Sequence, residues 1–326
     1  MVSTIEPKSR FRRLVCSVAQ KFHSHHHNGR SGRSESVAGS ANSTVTALRG
    51  KVALITGSSK STGASIARAL AAQGASVVIN YAKDSRSAEE VAQQINLSLN
   101  STSVSLSLTS MNHQGDGRND VEVPRQQQQQ AIAVKADSST ISGGHYLLQE
   151  TLRVFRRLDI LVLNAGLMGS RTLSEIDESF FDAHFDFNVK APLFLVKEAA
   201  EVMVRPGGRI IFLSTSLTTA SIPSALLPNA LCYVASKGAV EQVARVLSKD
   251  LGTQGFTVNT VALGPVDTAL FRAGTSQHVI SSIAAQVPSH RIAEPDDIAP
   301  VVAFLASPAA QWVNGQIIGV NGGYVV

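Results

Sequence analysis

The feature that most constrains the fold is residues 54–70, LITGSSKSTGASIARAL, an apolar run that ends in a loop of small residues and continues as a helical pattern. A strand that turns through glycines directly into a helix begins a β–α–β unit. In such a turn, backbone N–H groups and the positive end of the helix favour a pyrophosphate. The sequence therefore predicts an α/β chain with a nucleotide site at its first turn.

The alternation of apolar strand and helix continues along the chain. The predicted strands are nearly continuous runs of Val, Ile and Leu: KVALITG, ASVVIN, AIAVKAD, LDILVLNAG, GRIIFLSTS and FTVNTVALG. Strands that are apolar on both faces belong in a parallel sheet that helices cover on both sides. We therefore expect one doubly wound parallel sheet, the Rossmann fold, in a single domain over residues 49–326.

Two segments depart from this pattern. Residues 1–48 are rich in Ser, Arg and His and are predicted to form a disordered basic extension. Residues 97–130, which end in five consecutive glutamines, show neither helical nor strand periodicity and are predicted to be a disordered, low-complexity insertion.

The basic extension contains apolar residues at helical spacing with arginines and a lysine between them, the pattern of a mitochondrial presequence. These apolar residues are Phe11, Leu14, Val15, Val18 and Phe22. A flexible extension with a chance periodicity is nevertheless the favoured interpretation, so the chain is expected to be cytoplasmic, and a mitochondrial presequence is the alternative.

The charge and cysteine content exclude several classes of function. The net charge is +5, but residues 1–50 hold eight basic and two acidic residues, so the rest of the chain is close to neutral. Nucleic-acid binding is therefore not expected. Cys16 and Cys232 form neither a disulfide framework nor a metal-ligand spacing, so no metal is expected. The longest uncharged stretch, 210–236, contains many hydroxyls and two prolines, so it is interpreted as strand and loop rather than a membrane span.

The end of the second strand bears on the choice of cofactor. NAD-preferring folds place an acid there for the ribose hydroxyls, whereas this chain has Asn80. Lys60 within the turn and Lys83 beyond Asn80 are cations that favour a 2′-phosphate. The sequence therefore predicts NADP(H) rather than NAD.

Six motifs follow one another in order: TGSSKSTG, LVLNAG, FNVKAP, IIFLSTS, CYVASKG and LGPVDT. Together they resemble the short-chain dehydrogenase/reductase family, and among its members the ketoreductases of the 3-oxoacyl and naphthol type. The resemblance covers residues 49–326 apart from the insertion. It implies a Rossmann fold, a dimer or tetramer, and hydride transfer between a nicotinamide and a carbonyl carbon.

Tyr233 and Lys237 are the predicted acid/base pair. Their i, i+4 spacing places both on one face of a helix. A nearby ammonium favours tyrosinate, so we expect Lys237 to lower the pKa of the phenol toward neutrality. Tyr233 then exchanges a proton with the reacting oxygen.

The resemblance also implies a hydroxyl that bonds the carbonyl oxygen and an asparagine that holds a water in a proton relay. Ser216 is favoured narrowly as the hydroxyl because serine is the usual residue, while an ungapped alignment selects Thr215. Asn188 is the predicted relay residue. Asp137 is expected to bond the adenine, and the loop with Val266 and Thr268 to hold the carboxamide.

The full set of predicted cofactor-binding residues includes the first turn, the ends of the next strands and the catalytic pair. It comprises Gly57, Ser59, Lys60, Ser61, Thr62, Gly63, Asn80, Tyr81, Asp137, Asn164, Ala165, Gly166, Tyr233, Lys237, Val266 and Thr268. Ser61 departs from the family pattern, which has glycine there, and glycine is needed if φ is positive. Because serine is small and can donate its own hydroxyl, we expect the turn still to bind the cofactor.

The function expected from these residues is the NADP(H)-dependent, reversible reduction of a ketone to a secondary alcohol. The alternative is a catalytically idle NADP-binding scaffold of the same fold. The segments 217–231 and 271–288, which the family uses for its substrate pocket, are mostly apolar here. A moderately hydrophobic, weakly charged small carbonyl compound is therefore the expected partner, with no membrane or nucleic acid involved.

Overall fold

The computed structural model describes residues 46–110 (side chains through residue 98), 130–220, 229–273 and 275–326. Seven strands run through these ranges: β1 Val52–Ile55, β2 Ser76–Tyr81, β3 Ala131–Lys135, β4 Ile160–Leu163, β5 Arg209–Thr215, β6 Thr257–Leu263 and β7 Ile317–Val320. They form one sheet in the order β3-β2-β1-β4-β5-β6-β7, and every neighbouring pair is parallel. The predicted doubly wound parallel sheet is confirmed.

Helices connect the strands. They are α1 Ser61–Ala72, α2 Ser85–Ser110, α3 Ile141–Phe155, α4 Glu178–Phe185, α5 Ala191–Val202, α6 Leu231–Asp250, α7 Ala269–Ala273, α8 Gln277–Gln286 and α9 Pro295–Ala306. One apolar cluster joins α1, α2 and α9 to one face of the sheet, and a second joins α3, α5 and α6 to the other. Because both faces are covered, β1, β4 and β5 are buried along their whole length, as their sequences predict.

The strand order reverses between β1 and β4. The chain passes from β1 through β2 to β3 on one side, then returns to place β4 beside β1, with Ile55 paired to Val162. The loops that leave the carboxyl ends of these two strands diverge, which opens the crevice where α/β proteins bind ligands.

The predicted insertion differs from the structure at both ends. Helix α2 continues to Ser110, past the predicted start at residue 97, so residues 97–110 are helical. Serine and asparagine disfavour a helix only weakly, and a helix that is already formed propagates cooperatively. Gln130, the last residue of the predicted insertion, is buried, and its side chain donates to the carbonyls of Ala71 and Ala75. Residues 111–129 lie outside the described residues.

Residues 1–45, which include the presequence pattern of the predicted basic extension, also lie outside the described residues. Within the ranges that the structure covers, none of the helices combines the length and the apolar character that crossing a membrane requires.

Candidate functional site

The turn between β1 and α1 is built from small residues because backbone segments approach one another closely. Gly57 has a φ of 61°, and its N–H donates to the side-chain oxygen of Asn80 at 2.9 Å. A Cβ on Gly63 would lie 2.6 Å from both the Gly57 carbonyl oxygen and the Asn164 amide nitrogen, so no larger residue fits without displacing the turn. Gly63 in the first turn of α1 leaves the helix N-terminus open to an anion.

Ser61, which stands where the family has glycine, has a φ of 52°. The left-handed region costs a residue with a Cβ about 1–2 kcal/mol relative to glycine. A positive φ was the condition under which glycine was expected here, and the structure has that positive φ. Ser61 adopts this left-handed conformation at that energetic cost. The turn retains its shape despite the substitution.

Asn80 and Lys60 lie on the side of the turn that faces the end of β2. The Asn80 side chain is buried; it accepts from Gly57 and donates to the carbonyl of Ala136 at 3.0 Å, so it braces the turn. Lys60 forms an exposed ion pair with Asp84, with 3.2 Å between nitrogen and oxygen. Hydrogen bonds from Ser87, followed by that from Lys60, lower the pKa of Asp84 to about 2. Asp84 therefore stays charged and offsets part of the positive charge that the sequence predicted here.

Asn164 at the end of β4 ties the two central strands together. Its side chain donates to the carbonyls of Thr56 and Gly57 at 2.9 and 3.0 Å. The N–H groups of Asn164 and Ala165 both donate to the Thr56 hydroxyl. These bonds hold the crevice at the strand-order reversal in one shape.

Tyr233 and Thr215 lie at the end of the crevice formed by β5 and α6, named the reaction end for the chemistry that the sequence predicts there. Burial raises the pKa of the Tyr233 phenol to about 12, while a hydrogen bond from the Thr215 side chain lowers it. The expectation that Lys237 brings this pKa toward neutrality is wrong for this arrangement. The ammonium lies 6.0 Å from the ring centroid, and desolvation of the phenolate dominates. Tyr233 therefore holds its proton at neutral pH.

Ser216 and Thr215, the two candidate hydroxyls, differ in their partners. Thr215 acts on Tyr233, and its hydroxyl also accepts from the Leu217 N–H at 3.3 Å. The Ser216 hydroxyl is buried and has no hydrogen-bond partner among the residues that the structure covers. Both residues line the same cavity.

Lys237 is buried one turn after Tyr233, and its ammonium donates to the Leu213 carbonyl at 2.8 Å. Burial lowers the pKa of Lys237 to about 8, and the charge of Glu241 raises it. Glu241 is itself buried, with the hydroxyls of Ser214 and Thr218 at 2.6 and 2.9 Å from one carboxylate oxygen. It thus joins α6 to both sides of the Thr215–Ser216 pair.

Glu241 was not among the predicted site residues, although its position carried a signal. It follows Tyr233 and Lys237 at spacings of eight and four residues, and therefore lies on the same helix face. A glutamate on a face that the fold buries needs a polar partner.

Asn188 lies in a π-helical turn, Asp186–Lys190, between α4 and α5. Its side-chain oxygen accepts from the Leu167 N–H at 2.8 Å, and its amide donates to the Leu167 carbonyl and the Ser236 hydroxyl. A Cβ on Gly166 would lie 3.4 Å from the Lys237 nitrogen and 3.5 Å from the Asn188 oxygen. The side-chain oxygen of Asn188 and the ammonium of Lys237 therefore both lie beside Gly166.

One cavity of about 460 Å³ joins the nucleotide turn to the reaction end. Most predicted site residues line it: Gly57, Lys60, Ser61, Thr62, Gly63, Asn80, Asp137, Asn164, Ala165, Gly166, Thr215, Ser216, Tyr233, Lys237, Val266 and Thr268. Ser59, Tyr81 and Asn188 are not among the lining residues, and Tyr81 packs against the apolar core.

The far wall of the cavity is apolar. Met168, Phe187, Leu217, Leu270 and Phe271 line it. Leu226 and Leu227, which were expected in the substrate wall, lie outside the described residues. The wall also includes Tyr324. This residue was not predicted, because it follows the last of the six motifs.

Comparison with known proteins identifies the family. A model described as enoyl-(acyl carrier protein) reductase matches residues 98–325, and a short chain dehydrogenase model matches residues 51–115. The chain is 39% identical over 290 residues to NADPH-dependent aldehyde reductase 2, chloroplastic, from Arabidopsis thaliana, covering 88% of this chain and 98% of that protein.

Two solved structures are similar throughout the fold. A short chain dehydrogenase from Burkholderia cenocepacia J2315 in complex with NADP is 30% identical with a TM-score of 0.71, over 85% of this chain and 98% of the other. The angucycline C-6 ketoreductase LanV with bound NADP is 35% identical with a TM-score of 0.68, over 85% and 96%. The chain, with its parallel sheet, glycine turn and Tyr–Lys helix, belongs to the short-chain dehydrogenase/reductase family.

Proposed function

We propose that the protein is an NADP(H)-dependent carbonyl reductase that converts a ketone to a secondary alcohol. One observation carries the proposal: a protonated Tyr233, the Thr215 hydroxyl and the buried Lys237 line the same cavity as the nucleotide turn. A proton donor is thereby placed at the reaction end of a dinucleotide crevice.

The residues present fit a dinucleotide. Gly57 and Gly63 leave room that a Cβ would fill, and the N-terminus of α1 opens into the cavity. Lys60, Lys83 and Asp84, the last of which pairs with Lys60 and follows Lys83 in the chain, sum to one positive charge beyond the end of β2, and this charge favours a 2′-phosphate. The NADP of the similar structures and the NADPH in the name of the Arabidopsis thaliana relative support this choice.

When bound, the reduced nicotinamide supplies a hydride to the carbonyl carbon, and the chain's residues manage the proton. Tyr233 donates its phenolic proton to the carbonyl oxygen, which completes the alcohol. When substrate binds, the Thr215 hydroxyl turns its one proton from Tyr233 to that oxygen and donates a hydrogen bond as negative charge develops there. We assign this role to Thr215 because it also bonds Tyr233; Ser216 is the alternative.

Lys237 and Asn188 restore the acid. The Lys237 ammonium lies 6.0 Å from the Tyr233 ring centroid, and its pKa of about 8 is well below that of the phenol, so it is a nearby source of a proton for the phenolate that remains after proton transfer. Both amide hydrogens of Asn188 are used by Leu167 and Ser236, so its side-chain oxygen is the atom left to accept from a water. Assembly as a dimer or tetramer, and a cytoplasmic or mitochondrial location, stay predictions from the sequence.

The experiment records NADPH and NADH oxidation with a panel of ketones for the wild type and Tyr233→Phe. Loss of the proton donor is expected to lower kcat by about 10²- to 10⁴-fold while NADPH affinity, measured by fluorescence titration, stays within about twofold. Tyr146→Phe, at an exposed tyrosine on α3, is the matched control. NADPH binding without turnover in the wild type would favour the idle scaffold, and equal rates in Tyr233→Phe would end the mechanism.

A further inference from the structure

Tyr324 is held in a defined position by the turn that follows β7. The Asn321 side chain accepts from the Gly323 N–H at 2.9 Å and donates to the Val325 carbonyl at 2.8 Å. The Tyr324 N–H donates to the Asn321 carbonyl at 3.1 Å. One asparagine thus fixes the backbone on both sides of Tyr324.

The same turn is locked against the loop after β6. The Gly264 N–H donates to the Val320 carbonyl at 3.0 Å, and a Cβ on Gly264 would lie 2.7 Å from the Asn321 Cα. This close approach brings Tyr324 to the wall of the cavity. A side chain presented by a fixed turn can select among ligands by shape.

The Tyr324 hydroxyl has no hydrogen-bond partner within the described ranges, although it is enclosed. Phe187, Leu270 and Phe271, which line the apolar part of the same cavity, have no polar side-chain atoms. An enclosed hydroxyl without a partner costs free energy that a ligand oxygen would recover. Burial raises the pKa of Tyr324, so the phenol stays neutral and keeps a proton to donate.

We infer that the substrate carries a second oxygen, a hydroxyl or carbonyl group on an apolar ring framework, and that the Tyr324 hydroxyl binds it. The inference rests on the proposed function. The reacting carbonyl meets Tyr233 and Thr215, and the rings lie against Leu217, Leu270 and Phe271. Simple ketones without the second oxygen leave the Tyr324 hydroxyl unpaired and are poorer substrates.

The test measures NADPH-dependent reduction of α-tetralone, a bicyclic ketone, and of its isomers hydroxylated at each position of the aromatic ring. In the wild type, at least one isomer is expected to have a higher kcat/KM than α-tetralone. In Tyr324→Phe, the ratio of that isomer to α-tetralone is expected to fall about tenfold, the usual effect of one lost hydrogen bond. An unchanged ratio, or no favoured isomer in the wild type, overturns the inference.

Other outcomes are separable. If the wild type reduces neither these ketones nor any ketone of the wider panel, the proposed function is wrong. If it reduces α-tetralone and all the hydroxylated isomers equally well, the proposed function stands and only the inference of a second substrate oxygen is wrong. An equal loss on all ketones together with weaker NADPH affinity would place the Tyr324 hydroxyl on the cofactor and overturn the inference.

Thermal unfolding without substrate gives a second measurement. Because the hydroxyl is unpaired among the described residues, Tyr324→Phe is expected to have a Tm equal to or above that of the wild type. A Tm several degrees lower would mean that another part of the chain satisfies the hydroxyl in the free protein. That result would also overturn the inference.

Discussion

The two ends of the cavity are built by different means. At the nucleotide turn, Gly57, Gly63 and the Asn164 amide set the shape through backbone approach and neutral hydrogen bonds. At the reaction end, Lys237 and Glu241 are buried and Tyr233 is half-buried, and desolvation shifts the pKa of the tyrosine up and that of the lysine down.

The two ends of the cavity should therefore respond to different kinds of substitution. A change at the turn acts through steric fit, so it should alter cofactor affinity and stability at every pH. A change at the reaction end acts through charge, so it should alter how activity depends on pH. The following variants separate these two behaviours.

Gly63→Ala is expected to have the largest effect at the turn. Its Cβ would lie 2.6 Å from two atoms, so the turn must move. We expect NADPH affinity to fall roughly 10- to 100-fold, which corresponds to an overpacking cost of about 1–3 kcal/mol. Fluorescence titration with NADPH measures this, and the loss should be the same at pH 6 and pH 8.

Gly144→Ala in α3 is the matched control. Its Cβ would meet only the Leu195 side chain, at no less than 3.6 Å. Alanine stabilises a helix interior by about 0.5–1 kcal/mol relative to glycine, so Tm should stay or rise. If Gly63→Ala bound NADPH as tightly as this control, steric fit would not govern the turn.

Glu241→Gln tests the charge at the reaction end. Burial lowers the pKa of Lys237 to about 8, so the ammonium loses its proton as pH rises through that value. The rate of ketone reduction, which depends on the ammonium, should fall over the same pH range. Glutamine keeps an oxygen for Ser214 and Thr218 but removes the charge that raises the pKa of Lys237. The alkaline limb of the kcat profile should therefore move about one pH unit lower.

The charged and titratable groups that bear on Lys237 are Glu241 and Tyr233, both on α6. Thr218→Val keeps the charge of Glu241 and removes a hydroxyl that contacts both Glu241 and the Thr215 carbonyl, so it should lower Tm without moving the limb. Glu150→Gln, at a half-buried carboxylate on α3 that pairs with Arg153, should leave the limb in place. A wild-type pH profile in Glu241→Gln would show that this glutamate acts only on packing.

Ser61→Gly is expected to have the smallest effect. Glycine removes the strain of a φ of 52° but loses more backbone entropy on folding, so the net gain is about 0.5–1 kcal/mol. Tm should rise by a few degrees. Thr62→Gly, one residue along at an ordinary helical position, should instead lower Tm. A lower Tm in Ser61→Gly would mean that the serine hydroxyl stabilises the turn.

Much of the fold could be predicted because continuous apolar strands have few alternatives to a covered parallel sheet. β7 was not predicted as a strand, since only alternate residues of Ile317–Val320 are partly buried. Residues 97–110 were wrongly expected to lack regular structure because this serine-rich sequence has no periodicity, yet it continues a helix that began in amphipathic sequence.

At the site, residue types were easier to predict than their environments. The spacing of Tyr233 and Lys237 placed them on one face, but the pKa of the phenol depends on how deeply the helix is buried. Glu241 was placed at the site only by the packing of α6 on β5. Tyr324 was placed there only by the contact between the turn after β7 and the loop after β6.

By itself, the sequence determined the parallel sheet, the glycine turn and the Tyr–Lys pair, because strand periodicity, glycine conformation and helical spacing are local properties. Only the tertiary structure decided which groups are dehydrated and which hydroxyls lack partners. Desolvation and hydrogen-bond satisfaction depend on contacts between residues far apart in the chain, and those contacts set the proton chemistry and the apolar wall of the cavity.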